Sequence, residues 1–264
     1  MWKQTEPLYR TKLKTAWKQE LFYSIMYPPN ITVEWIDTDK PEDAIYKKDI
    51  TYTFNEYGFR SDSFSERSDI NILTCGCSHT VGVGVTQEES WPFVLKQMIK
   101  NDTNQSVSIY NVSVSGASTS YVSRSIYKTI DILKPDIVVI YWPPTSRIEA
   151  PSEPGDEFTQ RFVGDEDYPP LFVSGTWLTN YNFLKDYVLV NEMLKTRNIP
   201  LITSAEDKLE KNHIGKDIVE IDGNILYEHF IRAKTHARDG QHPGPDWHVS
   251  VAKMYFDRIK PYIQ

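Results

Sequence analysis

The chain has 264 residues, of which 40% are hydrophobic and 25% charged, with only two cysteines; this excludes a disordered chain, a collagen-like fibre and a disulfide scaffold. Its net charge of −7 is the wrong sign for non-specific nucleic-acid binding, which needs a basic surface. No apolar run approaches the roughly 20 residues of a membrane-spanning helix. Met1 to Glu6 lead into no apolar secretory segment, so a cytoplasmic chain is expected by default and the four Asn-x-Ser/Thr triplets read as chance.

Residues 1 to 26 read as one helix, ended by Pro28-Pro29. Ile31 to Ile36 and Ile50 to Phe54 read as short strands. A stretch of about 60 residues can hardly bury a core of its own. Residues 1–60 are therefore expected to be a helical and β extension, and 61–264 the main domain.

From Ile70 the rhythm changes. Short apolar runs at Ile70–Cys75, Val107–Val112, Asp136–Trp142 and Pro200–Ser204 alternate with helical stretches. The helices are read at Ser90–Lys100, Ser118–Leu133, Tyr181–Thr196 and Asp246–Ile259. Such alternation predicts an α/β fold, a three-layer sandwich with a mostly parallel central sheet. Asp136–Trp142 is apolar on both faces, as a central parallel strand should be. Tyr227, His229 and His236 are taken as helix residues.

Glu149 to Asp167 holds seven acidic residues and one basic one, Arg161, and so carries nearly all of the net charge. Its prolines and glycines read as a long loop, either a solvated excursion or a wall over the strand ends. The aromatic residues around it, Phe158, Phe162, Tyr168, Phe172 and Trp177, suit core or lid packing; stacking on a sugar is the sharper reading.

Two short segments carry chemistry. Cys75-Gly76-Cys77-Ser78-His79-Thr80 directly follows a strand, where a serine can be held up at the carboxyl end of a sheet with backbone N–H groups beside it. Asp239-Gly240-Gln241-His242-Pro243 places an acid three residues before a histidine. The carboxylate can accept from Nδ1 and leave Nε2 free to take a proton. Cys75, Cys77 and His79 offer metal-ligand atoms, but no second cysteine pair completes a tetrahedral set. Cys77 is the reserve nucleophile. Surface or capping roles are expected of His79 and His248.

Taken together, the two segments resemble the SGNH hydrolases, also called the GDSL esterase/lipase family, over residues 50 to 262. Gly76-Cys77-Ser78-His79-Thr80 is similar to their first block, with Cys77 in place of an Asp. Gly116, in Asn111-Val112-Ser113-Val114-Ser115-Gly116, stands where their second block has its glycine. Asp239 to Pro243 is similar to their last block. The lead-in Asn55 to Arg60 and the follow-on Gly82 to Val85 and Ser90-Trp91-Pro92 match as well. The family's third-block Asn is missing; Pro143-Pro144-Thr145-Ser146-Arg147 stands there instead. A Gly-x-Ser-x-Gly elbow of the α/β-hydrolase kind would need glycine at Thr80.

The resemblance implies a serine esterase working through an acyl-serine, with Ser78 as nucleophile, His242 as base and Asp239 orienting it. The N–H groups of Ser78 and Gly116 would form the oxyanion hole, with a hydroxyl of Thr145 or Ser146 as third donor. It implies no cofactor and no metal. A small acyl group on a carbohydrate is the expected substrate, with no nucleic-acid partner. The alternatives are a non-catalytic module of the same fold and an acyltransferase.

Overall fold

The computed structural model describes residues 29–34, 50–151, 158–162, 176–206, 225–226 and 233–263. The expected helix over residues 1 to 26 lies outside them. So do residues 35–36 of the first expected strand, Tyr168, Phe172, Tyr227 and His229.

Strand β1 (Thr32–Glu34) pairs antiparallel with β2 (Thr51–Thr53), in the register Thr32 to Thr53. Ile50, Tyr52 and Phe54 bury one side of this hairpin, with Ile31 packed on them. The main sheet contains β3 (Ile70–Gly76), β4 (Val107–Asn111), β5 (Ile137–Trp142), β8 (Leu201–Ala205) and β9 (Ile225–Leu226) in the order β4-β3-β5-β8-β9. All four pairings are parallel. β5 is the middle strand, as its two-faced apolar run predicts.

Alternation along each strand divides the core. Leu73, Cys75, Val138, Ile140 and Trp142 face one side. Ile70, Ile72, Ile137 and Val139 face the other. The first face is covered by α3 (Thr119–Leu133) and α4 (Thr176–Lys195), through Tyr121, Val122, Ile126, Ile130, Phe183, Tyr187 and Val190. The second is covered by α2 (Trp91–Thr103) and α5 (Pro245–Ile259), through Trp91, Leu95, Ile99, Trp247, Val251 and Tyr255. Each fully buried aliphatic or aromatic side chain contributes about 1.5–3 kcal/mol, so the two faces together supply most of the drive to fold.

Local chemistry sets the helix limits. Ser118 caps α3 by accepting the Tyr121 N–H at 3.0 Å. Lys134 then ends it in the left-handed region, at φ 44°. Pro92 and Pro245 sit in the first turns of α2 and α5, where a missing N–H costs nothing.

The acidic stretch departs from expectation. Rather than one loop, it holds an antiparallel pair, β6 (Arg147–Pro151) with β7 (Phe158–Phe162), in the register Arg147 to Phe162. Arg147-Ile148-Glu149-Ala150 carries a period-two pattern that the flanking prolines and glycines obscure, while Phe158-Thr159-Gln160-Arg161-Phe162 breaks the alternation at Gln160. His236 also departs from expectation: it is no helix residue but forms an isolated antiparallel bridge to Pro243. β9 went unread because two residues give no periodicity.

Candidate active site

Three strand ends converge. β3 and β5 are neighbours, and β4 lies on the far side of β3, so the chain direction of the sheet order reverses between β3 and β5. Open α/β sheets bind ligands in the crevice outside the carboxyl ends at such a point. Ser78 follows β3, the turn 143–147 follows β5, and Gly116 follows β4.

The nucleophile turn is tightly built. A Cβ on Gly76 would meet Thr80 Oγ1 at 2.2 Å and the Tyr141 carbonyl oxygen at 2.6 Å, so no side chain fits there. Ser78 opens a single helical turn, α1 (Ser78–Val81), and its carbonyl accepts from Gly82 and Val83 at 2.9 and 3.1 Å. As the first helical residue, Ser78 has no intrahelical acceptor for its own N–H. The following segment, residues 81–85, is held from outside. Buried Arg60 donates to the carbonyls of Val81 (3.2 Å), Gly82 (2.6 Å) and Val85 (2.8 Å) and lies 4.0 Å over the Tyr52 ring. The Gly84 N–H donates to Tyr52 Oη at 2.7 Å.

The second expected segment meets the first here. Arg238 N–H donates to the Gly84 carbonyl at 2.9 Å, which brings the Asp239 turn against the Ser78 segment. Asp239 Oδ1 accepts the amides of Gln241 (3.0 Å) and His242 (2.9 Å), and Oδ2 hydrogen-bonds His242 Nδ1. Burial alone would raise the Asp239 carboxyl; the bonds from the His242 ring, the His242 amide and Gln241 outweigh it and hold the group below the usual carboxylate range. The Ala237 N–H donates to the His242 carbonyl at 2.8 Å, and Gly240 takes a positive φ of 69° that the tight turn requires. The His242 ring stands 5.6 Å, edge to face, from that of His79, the residue after Ser78. Ser78 Oγ and His242 make no hydrogen bond to each other. Such contacts are often loose in unliganded enzymes.

The other expected donors lie at the same end. Gly116 adopts φ 75°. The turn after β5 is closed by Arg147 N–H to the Pro144 carbonyl at 3.2 Å, and Arg147 Nη1 donates to the Ala117 carbonyl at 3.3 Å. This seats the Thr145–Ser146 turn beside the Gly116 segment. Thr145 is half-buried and Ser146 exposed.

Two histidines behave unlike the expectation or more specifically than it. His79 is neither a surface nor a capping residue. Its Nδ1 lies 3.3 Å from Glu206 Oε2, and its ring also packs on Trp247 and Tyr141 at 5.4 and 6.1 Å. His248 does cap: its buried Nδ1 accepts the N–H of Trp91, the first residue of α2, at 3.1 Å. Burial, and then the positive charge of neighbouring groups, push its pKa down to about 3.

Glu206 and Arg147 escaped the sequence reading. Glu206 follows β8, and its N–H donates to the Trp142 carbonyl at 3.0 Å. Its Oε2 lies 3.7 Å from Cys77 Sγ. Burial and the Glu206 charge both push the Cys77 thiol up, so Cys77 is held protonated and is a poor reserve nucleophile. Cys75 lies in the core, and burial pushes its thiol up as well. The two cysteines are not bonded to each other.

No protein-family model and no curated protein matches the chain. Among solved structures, a psychrotrophic esterase, EstA, from Pseudoalteromonas sp. is similar at 16% identity and TM-score 0.46, over 74% of this chain and 99% of that one. An acetyl xylan esterase, AlAXEase, is similar at 16% identity and TM-score 0.47, over 72% and 100%. A lipolytic protein of the G-D-S-L family from Desulfitobacterium hafniense is similar at 14% identity and TM-score 0.41, over 72% and 99%.

Proposed function

We propose that this chain is a serine ester hydrolase of the SGNH type. The observation that carries the reading is the meeting, at the carboxyl end of the sheet, of the Ser78 turn with an Asp239–His242 pair from the other end of the domain.

In this mechanism Ser78 Oγ attacks the ester carbonyl while His242 Nε2 takes its proton. The tetrahedral intermediate collapses to an acyl-serine as His242 protonates the departing alcohol. Water then attacks the acyl group, with His242 again as base, and Ser78 is regenerated. Asp239 keeps the ring proton on Nδ1 and stabilises the imidazolium. The N–H groups of Ser78 and Gly116 receive the oxyanion, with the Thr145 or Ser146 hydroxyl as third donor. With no third-block Asn, the third donor rests on that hydroxyl, and its loss would cost about 100- to 1000-fold in rate.

The substrate reading is a small acyl group on a neutral carbohydrate. It is supported by the half-buried Tyr141 edge-on to Trp247 at 5.5 Å beside His79, which makes an aromatic and confined margin. The seven acidic residues between Glu149 and Asp167, in the connection that follows β5, would disfavour anions if they border the pocket. The absent Asn favours a second reading, a binding module that retains the fold.

Hydrolysis of p-nitrophenyl acetate and butyrate, and acetate release from acetylated oligosaccharides, test both. Wild type should hydrolyse the acetate faster than the butyrate, and Ser78→Ala and His242→Ala should each abolish turnover. The double variant should be little worse than either single one, because members of a triad act as a unit. Undiminished turnover in Ser78→Ala would overturn the assignment, and a wild type that binds the oligosaccharide without releasing acetate would favour the binding module.

A further inference from the structure

We propose that Cys77, His79 and Glu206 form a binding site for one zinc-class divalent cation, beside Ser78 and separate from the hydrolytic machinery. Cys77 Sγ, His79 Nδ1 and Glu206 Oε2 all lie within 4.8 Å of one another.

The spacing fits a tetrahedral ion. Metal bonds of about 2.3 Å to sulfur, about 2.05 Å to nitrogen and about 2.1 Å to oxygen put neighbouring ligand atoms roughly 3.6 Å (S to O) and roughly 3.4 Å (N to O) apart. The observed separations are 3.7 Å for Cys77 Sγ to Glu206 Oε2 and 3.3 Å for His79 Nδ1 to Glu206 Oε2. The donor types agree. A thiolate, an imidazole and one carboxylate select zinc-like ions over magnesium or calcium, which take oxygen ligands. Three protein ligands leave a fourth position for water.

An independent observation points the same way. Among the described residues, His79 Nδ1 is a buried atom with no well-formed hydrogen bond, and its neighbour is Glu206 Oε2 at 3.3 Å. An ion between the three groups would give that nitrogen a full coordinate bond.

The scaffold is preformed. Cys77 and His79 flank Ser78 on the turn fixed by Gly76, and Glu206 is fixed by its N–H to the Trp142 carbonyl. Neither segment has to fold around the ion. Arg147 is the competing cation, since its charge acts on both Cys77 and Glu206. It also donates to the Ala117 carbonyl at 3.3 Å. On binding, a metal–sulfur bond forms, the thiol S–H bond breaks and its proton passes to solvent. Affinity should therefore rise with pH.

The test uses the whole chain, stripped with a chelator and titrated with Co²⁺ as a spectroscopic stand-in, then with Zn²⁺ against a chromophoric chelator. The expected result is one Co²⁺ per chain with a thiolate-to-cobalt charge-transfer band and intense tetrahedral d–d bands, all displaced by Zn²⁺. Cys77→Ser should remove the charge-transfer band. Glu206→Gln, at a partly exposed side chain, should keep that band but weaken Zn²⁺ at least tenfold, and circular dichroism should show both variants folded. No thiolate band in the wild type, or Zn²⁺ affinity unchanged in both variants, would overturn the site. Neither readout uses ester hydrolysis, so the outcome is independent of the proposed activity.

Discussion

Replacing Asp239 by Asn keeps the side chain's size and one acceptor oxygen but removes its charge. The carboxylate takes three N–H groups: the amides of Gln241 and His242 on Oδ1, at 3.0 and 2.9 Å, and His242 Nδ1 on Oδ2. An asparagine can serve the two amides but offers an NH₂ to Nδ1. The ring then holds its proton on Nε2, the atom that has to accept from Ser78. Losing one charge-assisted hydrogen bond should cost about 1.5–3 kcal/mol of stability. In a domain of this size each kcal/mol lowers Tm by about 2–4 °C, so the fall should be roughly 3–12 °C. The rate should fall far more, up to about 10,000-fold, the effect of the wrong tautomer in a serine triad. The pH dependence has a definite sign. Asp239 is depressed in the folded chain, so its contribution is fully present above the unfolded carboxyl pKa of about 3.9 and fades as pH falls through the folded value. The part of the stability gap between wild type and Asp239→Asn that comes from this carboxylate should close as pH falls below about 4. The assays are p-nitrophenyl acetate turnover and urea unfolding as pH is lowered through that value. A variant turning over within about tenfold of wild type, or a gap that widens below pH 4, would refute the reasoning.

Gly76→Ala should destabilise by about 1–3 kcal/mol, since the new Cβ meets the Tyr141 backbone oxygen at 2.6 Å and Thr80 Oγ1 at 2.2 Å; thermal unfolding checks it. Arg60→Gln strips three carbonyls of a buried cation's donors and should cost about 3 kcal/mol, with turnover falling as the 81–85 segment loosens; unfolding and kinetics on one preparation read both. His248 has its folded pKa below the unfolded value, so the unfolded chain takes up the proton first and wild-type stability falls as pH drops below about 6.5, by at most about 1.4 kcal/mol per unit. His248→Gln should flatten that slope between pH 6.5 and 5 in urea titrations. If the acidic 149–167 stretch borders the pocket, the ratio of kcat/KM for a neutral over an anionic ester should fall as salt screens it, over a Debye length of about 8 Å at physiological ionic strength; a ratio that does not move would make it a solvated excursion.

What the sequence disclosed followed from how local the signal was. β3 and β5 were legible because strands of a parallel sheet are buried on both faces and read as unbroken apolar runs. Asp239 and His242 were legible because three residues of spacing suffice to place a carboxylate on its own histidine. Ser78 was legible from a Gly-x-Ser after a strand. Glu206 was not: it is a lone acid after β8, and only the sheet order brings it to Cys77 and His79, two strands away. His79 reads as a surface or capping residue for the same reason, since nothing adjacent in sequence is its partner. The β6–β7 pair was hidden because prolines and glycines dominate the composition around two short segments, of which only Arg147 to Ala150 alternates. α4 begins at Thr176, five residues before its expected start.

The central claim is that Ser78 is an activated nucleophile, and covalent labelling tests it most directly. The chain is treated with a fluorophosphonate probe, digested, and the modified residue located by mass spectrometry. The account predicts a single stoichiometric adduct on Ser78, absent from Ser78→Ala and slowed at least a hundredfold in His242→Ala, whose serine has lost its base. No adduct on the folded wild type, or an adduct on another residue that persists in Ser78→Ala, would contradict it.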